Sequence, residues 1–93
     1  MDYPVIASKQ FTKRFEQLEK ALPRISKLKS DLFEKLSKKP FDVGYPLPKQ
    51  KHWKYGFYYF AKSNEFGSFP SFRIVYRITD DKVEVLDMSP IKF

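Results

Sequence analysis

Residues 71–88, SFRIVYRITDDKVEVLDM, constrain the fold of this chain more than any other segment. Alternating side chains on either side of an acidic pair, Asp80 and Asp81, predict two β-strands joined by a turn. Aromatic and β-branched residues dominate both strands, as a pleated and half-buried surface favours. One face of the first strand consists of Phe72, Ile74, Tyr76 and Ile78, and the other of Arg73, Val75, Arg77 and Thr79. Because burying two arginines is costly, we expect this second face to meet water or an anion.

The size of the chain, 93 residues, suits one domain with a modest core. Hydrophobic residues make up 42% and aromatic residues 18%, which excludes a disordered chain. Cysteine is absent, so disulfides and thiolate chemistry are excluded and a reducing, cytoplasmic location is expected. We expect neither a membrane span, which needs ~20 apolar residues, nor a signal peptide.

Charge is the strongest signal in the composition. Lys and Arg number 18 against 11 Asp and Glu, which gives a net charge of +7, and the excess lies within residues 1–62. Such an excess favours polyanionic partners and salt-sensitive association. Lysine-rich helix faces also promote solubility, so the charge ranks nucleic acid first among partner classes without being specific for it.

Two amphipathic helices are predicted between residues 8 and 39. Ser8 is a candidate cap for the first, and Pro23 separates the two because proline is tolerated only in a first turn. The apolar stripe of the first helix comprises Phe11, Phe15, Leu18 and Leu22, and that of the second comprises Ile25, Leu28, Leu32 and Leu36 with Phe33 beside them. The helices therefore form a hairpin whose stripes need a sheet, or each other, as cover.

Four strands are predicted around this helical hairpin. Residues 3–6 form a short edge strand, and residues 40–48, rich in proline, form a connector without regular structure. An aromatic strand follows in KQKHWKYGFYYFAK, where Gly56 indicates a bulge or a close backbone approach and leaves the alternation of the rings unassigned. The order β-α-α-β-β-β predicts an α+β fold: a small antiparallel sheet with the helical hairpin on one face and the other face open.

Arg73 and Arg77 are the first candidates for a functional site. Arginine binds phosphate through a planar fork and keeps its charge, so it can also stabilise a phosphorane-like transition state. We expect the pair to contact successive phosphates of a nucleic-acid strand. The competing structural explanation, of equal weight, pairs these arginines with Glu84 or Asp87 on the next strand.

A second candidate region flanks the aromatic strand. Cations beside aromatic rings are typical of proteins that bind single-stranded nucleic acid, because the cations follow the backbone and the rings stack on bases. The cations are Lys49, Lys51, Lys54 and Lys62, and the rings are Trp53, Tyr55, Phe57, Tyr58, Tyr59 and Phe60. About half of these rings are expected in the core, since one set of an alternating strand is buried.

His52 is the only histidine in the chain, and its usual pKa suits proton transfer near neutral pH. It is a candidate general acid or base for attack of an RNA 2′-hydroxyl on the adjacent phosphate, although a lone histidine is more often incidental. A lysine whose pKa is lowered by neighbouring cations could take the same role. Neither a phosphate-binding glycine loop nor a transition-metal site is predicted, and no cofactor is expected.

The element order, the helical hairpin and the segment FRIVYRITDDKVEVLDM resemble the RelE/ParE superfamily of toxins from toxin–antitoxin systems. In that family a strand of the type Y-R-[IL]-V-Y, a short acidic turn and a V-x-V-L strand recur in this position. Here they correspond to residues 72–76, to Asp80 and Asp81, and to residues 83–86. The resemblance extends over nearly the whole chain and implies a single RelE-like toxin domain at residues 1–93.

The resemblance implies one of two activities. RelE-like members cleave mRNA in the ribosomal A site with basic residues of the open sheet face, whereas ParE-like members inhibit DNA gyrase without nuclease chemistry. In the RelE-like interpretation Arg73 stabilises the scissile phosphate, and Lys54 is the catalytic basic residue of the second strand, with Lys51 or His52 as alternatives. RelE-like nucleases usually add a basic residue and a tyrosine or histidine after the last strand. Here Lys92 is the only basic residue and no tyrosine follows, so either activity relies on Lys92 or the member is weakened or noncatalytic.

The leading hypothesis is a metal-independent, ribosome-dependent mRNA endonuclease that blocks translation and is neutralised by a small antitoxin. The alternatives are a gyrase inhibitor or other noncatalytic member of the fold, and a plain basic RNA- or DNA-binding module. The expected partners are the ribosome, mRNA and a cognate antitoxin that covers the helical hairpin or the arginine face. The catalytic candidates are Arg73, Lys54, His52 and Lys92, and the nucleic-acid contacts are Lys49, Lys51, Lys62, Arg77 and Trp53.

Overall fold

The computed structural model describes residues 2–48, 56–63 and 72–90. Within these ranges, three helices and five strands alternate in the order β1, α1, α2, α3, β2, β3, β4, β5. The helices are α1 (Lys9–Ala21), α2 (Ile25–Lys38) and α3 (Pro40–Val43), and the strands are β1 (Val5–Ala7), β2 (Tyr45–Pro46), β3 (Phe57–Lys62), β4 (Phe72–Ile78) and β5 (Val83–Pro90). The predicted α+β class is confirmed, since the helices pack on one sheet.

The five strands lie in the order β1-β5-β4-β3-β2. Strands β3, β4 and β5 form the predicted antiparallel meander, in which Tyr76 of β4 pairs with Tyr59 on one side and Val85 on the other. β1 is the predicted edge strand, but it joins β5 in parallel, with Val5 opposite Val83. The sheet is therefore antiparallel except at this edge.

The β4–β5 hairpin has the predicted alternation. Arg73 is exposed, and Val75 and Arg77 are half-buried on the open face. The face toward the helices is buried at Phe72, Ile74, Tyr76 and Ile78. The acidic turn is closed where the Thr79 amide donates a hydrogen bond to the Lys82 carbonyl at 2.9 Å.

Both predicted helices form, and their apolar stripes cover the sheet. Leu18 and Leu22 are partly buried against the core, and the fully buried stripe residues are Phe11, Phe15, Ile25, Leu28, Leu32 and Leu36. The Ser8 hydroxyl caps α1 as predicted: it accepts a hydrogen bond from the Phe11 amide at 3.1 Å and donates one to the Leu86 carbonyl at 2.6 Å. The same side chain thus begins the helix and ties it to β5. Among the helices of the described ranges, none has the length and apolar character to cross a bilayer.

The connector at residues 40–48 was predicted to lack regular structure, and this prediction is wrong. Pro40 opens α3, where its missing amide N–H removes no helical hydrogen bond. Pro46 lies in β2, a short edge strand, which is the position in a sheet that tolerates proline. Both prolines therefore occupy the positions at which regular structure accepts them.

Gly44 joins α3 to β2 at a point of close packing. A Cβ atom at Gly44 would lie 2.3 Å from the Phe60 carbonyl oxygen and 2.8 Å from the Tyr76 hydroxyl. That hydroxyl is buried and donates a hydrogen bond to the Pro40 carbonyl at 3.0 Å. Burial raises the pKa of the Tyr76 phenol well above its ordinary value. This packing holds α3 and β2 against the sheet and fixes the position of Tyr45 at its edge.

Candidate nucleic-acid interface

In the part of the chain that the structure describes, the open face of the sheet carries cations at two places that differ in their surroundings. Lys62 of β3 and Arg73 of β4 lie toward one end, and Arg77 lies toward the hairpin turn beside Glu84 and Lys82. At the second place a single carboxylate, that of Glu84, forms ion pairs with both Arg77 and Lys82, whereas at the first neither cation forms an ion pair with any residue of the described ranges. Among the described cations of this face, Lys62 and Arg73 are therefore the ones without an acidic partner.

Lys62 and Arg73 are directly opposite each other in the β3–β4 register. Like charges in opposite positions destabilise a strand pair, so this arrangement costs stability unless something compensates for it. The two side chains separate onto aromatic rings: the Arg73 guanidinium lies 5.1 Å from the Phe60 ring centroid, and Lys62 Nζ lies 5.5 Å from that of Tyr45. An anion bound between the two cations would relieve their repulsion.

Tyr45 and Phe60 lie side by side on the same face. The two residues are paired in the β2–β3 register, and their ring centroids are 5.3 Å apart with the planes tilted by 35°. Tyr45 is 46% exposed and Phe60 is half-buried. Tyr45, Phe60, Lys62 and Arg73 together are called the cation–aromatic cluster below.

Arg77 occupies a different environment from Arg73. Its guanidinium forms an ion pair with the Glu84 carboxylate, and its side chain is only 16% exposed. The hydrogen bond that Arg77 donates to the Glu84 carboxylate, and secondarily one with Tyr58, raises the pKa of Arg77. The predicted close approach at Gly56 is confirmed, because a Cβ atom there would lie 2.9 Å from Arg77 Cγ and the backbone φ is +129°. The glycine leaves the space that the arginine stem fills.

The two arginines lie four positions apart on β4, which corresponds to about 13 Å along the backbone at ~3.3 Å per residue. Contact of both guanidiniums with successive phosphates stays a prediction. Arg77 as a separate phosphate contact stays a prediction.

The acidic partners proposed for the arginines divide between two sites. Glu84 pairs with Arg77, as the competing structural explanation predicted. Asp87 instead contacts α1, where Arg14 Nε lies 3.4 Å from one carboxylate oxygen and the Gln10 side chain donates a hydrogen bond to the other at 3.1 Å. Arg73 therefore has no carboxylate partner within the described part of the chain.

Several predicted site residues lie outside the described residues. These are Lys49, Lys51, His52, Trp53, Lys54 and Lys92. Their roles stay predictions, including proton transfer by His52 or Lys54. The described part of the predicted site consists of Arg73, Lys62 and Arg77. Over the same described ranges no cluster of acidic or histidine side chains is suited to hold a metal ion, and the absence of a metal requirement also stays a prediction.

The sequence does not identify Tyr45 as a member of the site, because this residue falls in the segment predicted to be an irregular connector. Phe60 is among the candidate rings of the aromatic strand, but Gly56 leaves the face on which it lies unassigned. A signal was present in Lys62, which is unsuited to the core. By the period of two, its exposure places Phe60 on the open face and Tyr59 on the helical side. The structure has this phase, since Tyr59 packs against the core cluster.

Comparison with known proteins bears on the fold. The chain is similar in structure to the YoeB dimer from Staphylococcus aureus, with a TM-score of 0.65 over 97% of this chain and 98% of that chain, at 17% sequence identity. This similarity confirms the predicted RelE/ParE-like fold. No protein-family model matches the chain, and no curated protein matches its sequence.

Proposed function

We propose that this protein is the toxin of a type II toxin–antitoxin system and that it cleaves mRNA on the ribosome. One observation carries the proposal: Lys62 and Arg73 lie opposite each other, without acidic partners among the described residues, on the open face of the sheet. The fold shared with YoeB, a RelE-family toxin, supports the toxin assignment. The net charge of +7 supports a polyanionic target.

Arg73 is the residue that stabilises the reacting phosphate in this proposal. The RNA 2′-oxygen attacks the adjacent phosphorus, the bond to the 5′-oxygen of the next nucleotide breaks, and negative charge accumulates on the non-bridging oxygens. A guanidinium fork next to Lys62 can stabilise that charge without itself transferring a proton. The products are a 2′,3′-cyclic phosphate and a 5′-hydroxyl.

Proton transfer is assigned to the basic segment before β3. One group accepts the proton of the 2′-hydroxyl, and another returns a proton to the leaving 5′-oxygen. His52 and Lys54 are the proposed groups, with Lys51 as the alternative. Lys92 remains a candidate cation near the same phosphate.

The proposed partners are the ribosome, mRNA and a small antitoxin. The antitoxin is expected to place acidic side chains against Lys62 and Arg73, because Arg73 is exposed, Lys62 is half-buried, and neither has an acidic partner among the described residues. Binding there would block access of RNA to the same residues. A short reading frame adjacent to the gene of this protein is the expected source of the antitoxin.

Expression in a bacterial host, with transcriptome-wide mapping of RNA 5′-ends, tests this proposal. We expect growth arrest and new ends in translated messages, in phase with codons, and we expect both to disappear in Arg73→Ala. Lys82→Ala is the matched control, since it removes a cation that is paired with Glu84 on the same face and should retain cleavage.

Two outcomes would contradict the nuclease proposal. New ends that persist unchanged in a folded Arg73→Ala variant would remove Arg73 from the mechanism. Growth arrest with intact messages and altered plasmid supercoiling would assign the protein to gyrase inhibition instead.

A further inference from the structure

The cation–aromatic cluster contains more than a phosphate-binding pair of cations. Each cation lies over a ring of the same cluster, and the two rings adjoin each other, with centroids 5.3 Å apart. Phosphate binding alone does not require aromatic rings beside the cations. The rings supply a second binding capacity, for a flat and weakly polar group next to an anion.

The exposure of Tyr45 indicates that its ring is not simply part of the hydrophobic core. Tyr45 is 46% exposed and belongs to an edge strand of two residues. Phe41 and Phe57 are also exposed, at 44% and 61%, but they pack on each other, and Phe41 packs on Tyr59, away from the cluster. Among the described residues, no cation lies over either of those two rings. Within residues 2–48, 56–63 and 72–90, exposed aromatic residues therefore occur at two places, and only one of these combines rings with cations.

We infer that Tyr45 and Phe60 form a stacking site for one base of single-stranded RNA, adjacent to the phosphate held by Lys62 and Arg73. The inference rests on the proposed function. It adds a contact with a base of the RNA, which the proposed function does not specify. In a nucleotide the base lies one sugar away from its phosphate, so a phosphate between the two cations leaves its base beside the rings. A stacked ring and a cation on the backbone are the two elements of sequence-tolerant single-strand binding.

The chemistry of the cluster selects single strands over duplexes. Bases in an A-form helix are stacked on their neighbours and do not present a face to an aromatic side chain. The cluster also offers no hydrogen-bond donors or acceptors for base edges apart from the Tyr45 hydroxyl and the cations themselves. It therefore adds affinity and fixes the register of the strand, and sequence preference must come from elsewhere.

Fluorescence anisotropy with labelled oligoribonucleotides tests the inference on purified protein. The probes are a short oligo(A) and the same oligomer with a single abasic nucleotide, scanned along the strand. For the wild type, we expect the abasic change at one position to weaken binding about 10- to 100-fold, the usual effect of one stacked base. In a Tyr45→Leu, Phe60→Leu double variant that difference should disappear, because intact and abasic probes then bind equally weakly.

The matched control is Phe57→Leu, which changes an exposed ring of the same strand on the opposite face. It should bind both probes within twofold of the wild type. Circular dichroism checks that each variant is folded. If the double variant does not fold, Tyr45→Leu alone replaces it, since that residue lies exposed at the sheet edge.

The binding assay needs neither ribosomes nor cleavage, so its result is separable from the proposed function. If the wild type binds the abasic probe as tightly as the intact probe at every position, the inference is overturned, even if the protein cuts mRNA in cells. A double variant that keeps the full response to base loss would also overturn it, as would a preference for DNA of the same sequence. A base-dependent response lost only in the cluster variants would support the inference even if no mRNA is cut.

Discussion

Among single residues, Gly44 has little freedom to change. Its backbone is extended, with φ −122° and ψ −162°, so the requirement for glycine is space rather than conformation. A methyl group would press on the Phe60 carbonyl, which belongs to β3 and cannot move independently of the sheet. The residue thus controls how closely β2, with Tyr45, approaches the rest of the molecule.

We predict that Gly44→Ala destabilises the protein by about 1–3 kcal/mol, the usual cost of overpacking a tight contact. Urea denaturation at neutral pH measures the change. Ser30→Ala, on the exposed side of α2, is the control and should stay within about 0.5 kcal/mol of the wild type. An unchanged urea midpoint for Gly44→Ala would contradict this prediction, because it would mean that β2 moves away from β3 without loss of stability.

Because of Tyr76, the stability of the folded protein depends on pH in the alkaline range. In the unfolded chain a tyrosine loses its proton near pH 10, whereas burial raises the pKa of Tyr76 in the folded protein. Above about pH 10 the unfolded state therefore binds fewer protons than the folded state, and stability falls as the pH rises. Below about pH 10, the contribution of Tyr76 to the stability of the folded state is fully present.

Tyr76→Phe should flatten this alkaline loss of stability. Urea midpoints measured between about pH 8 and 11 should fall less steeply for the variant than for the wild type. Near pH 7 the same variant should lose about 1–2 kcal/mol, because the buried Pro40 carbonyl loses its donor. Identical slopes for the wild type and Tyr76→Phe would contradict the account.

At the scale of elements, the two arginines of the β4–β5 hairpin differ in their surroundings. Arg77 pairs with Glu84 across the strands and fills the space over Gly56, whereas Arg73 contacts a ring and remains exposed. The same strand face therefore holds one arginine that stabilises the sheet and one that is available to a ligand.

Arg77→Ala should cost about 1–3 kcal/mol in stability, because it leaves the partly buried Glu84 carboxylate with only the longer contact to Lys82 Nζ, at 3.9 Å. Arg73→Ala should leave stability unchanged or increase it slightly, since it removes a like charge opposite Lys62. Thermal melts of the two purified variants give the comparison directly. A larger loss in Arg73→Ala than in Arg77→Ala would reverse the roles assigned here.

The hairpin and the two long helices could be predicted from the sequence because their side chains repeat with a clear period. Phe72 to Ile78 alternate strictly, and the stripes of α1 and α2 recur at helical spacing. Proline gave a weaker signal: Pro40 and Pro46 suggested an irregular connector, but a helix start and a sheet edge accept proline equally well. The parallel pairing of β1 with β5 depends on contacts between distant residues, which no local pattern records.

The candidate site was predicted only in part for the same reason. Arg73 and Lys62 are visible as cations in strand patterns, and the structure places them opposite each other. Tyr45 joins them only because Gly44 brings β2 against β3, a contact between elements rather than a feature of either segment. Periodicity locates side chains on a face but does not show which faces meet.

At the scale of the whole molecule, the fold shared with YoeB at 17% identity combines with a strong positive charge. Part of this charge lies on the lysine-rich surfaces of α1 and α2, and part on the open sheet face. The two contribute differently to RNA binding, because only cations that contact phosphates release counterions from the RNA.

Salt dependence separates these contributions. A plot of log binding constant against log salt concentration for single-stranded RNA should lose about 0.7 of its slope for each phosphate contact removed. We expect this loss for Lys62→Ala and for Arg73→Ala, and about twice that loss for the double variant. Lys27→Ala, on the exposed surface of α2, should leave the slope unchanged. Equal slope changes for all three single variants would mean that binding follows net charge alone.

The most direct test of the central claim uses purified protein and ribosomes that hold a defined mRNA with a known codon in the A site. The account predicts a single-turnover cut within that codon by the wild type, a rate at least about 100-fold lower for Arg73→Ala, and an unchanged rate for Lys82→Ala. The absence of any cut by folded wild-type protein in excess over ribosomes would contradict the account, as would equal rates for the wild type and Arg73→Ala.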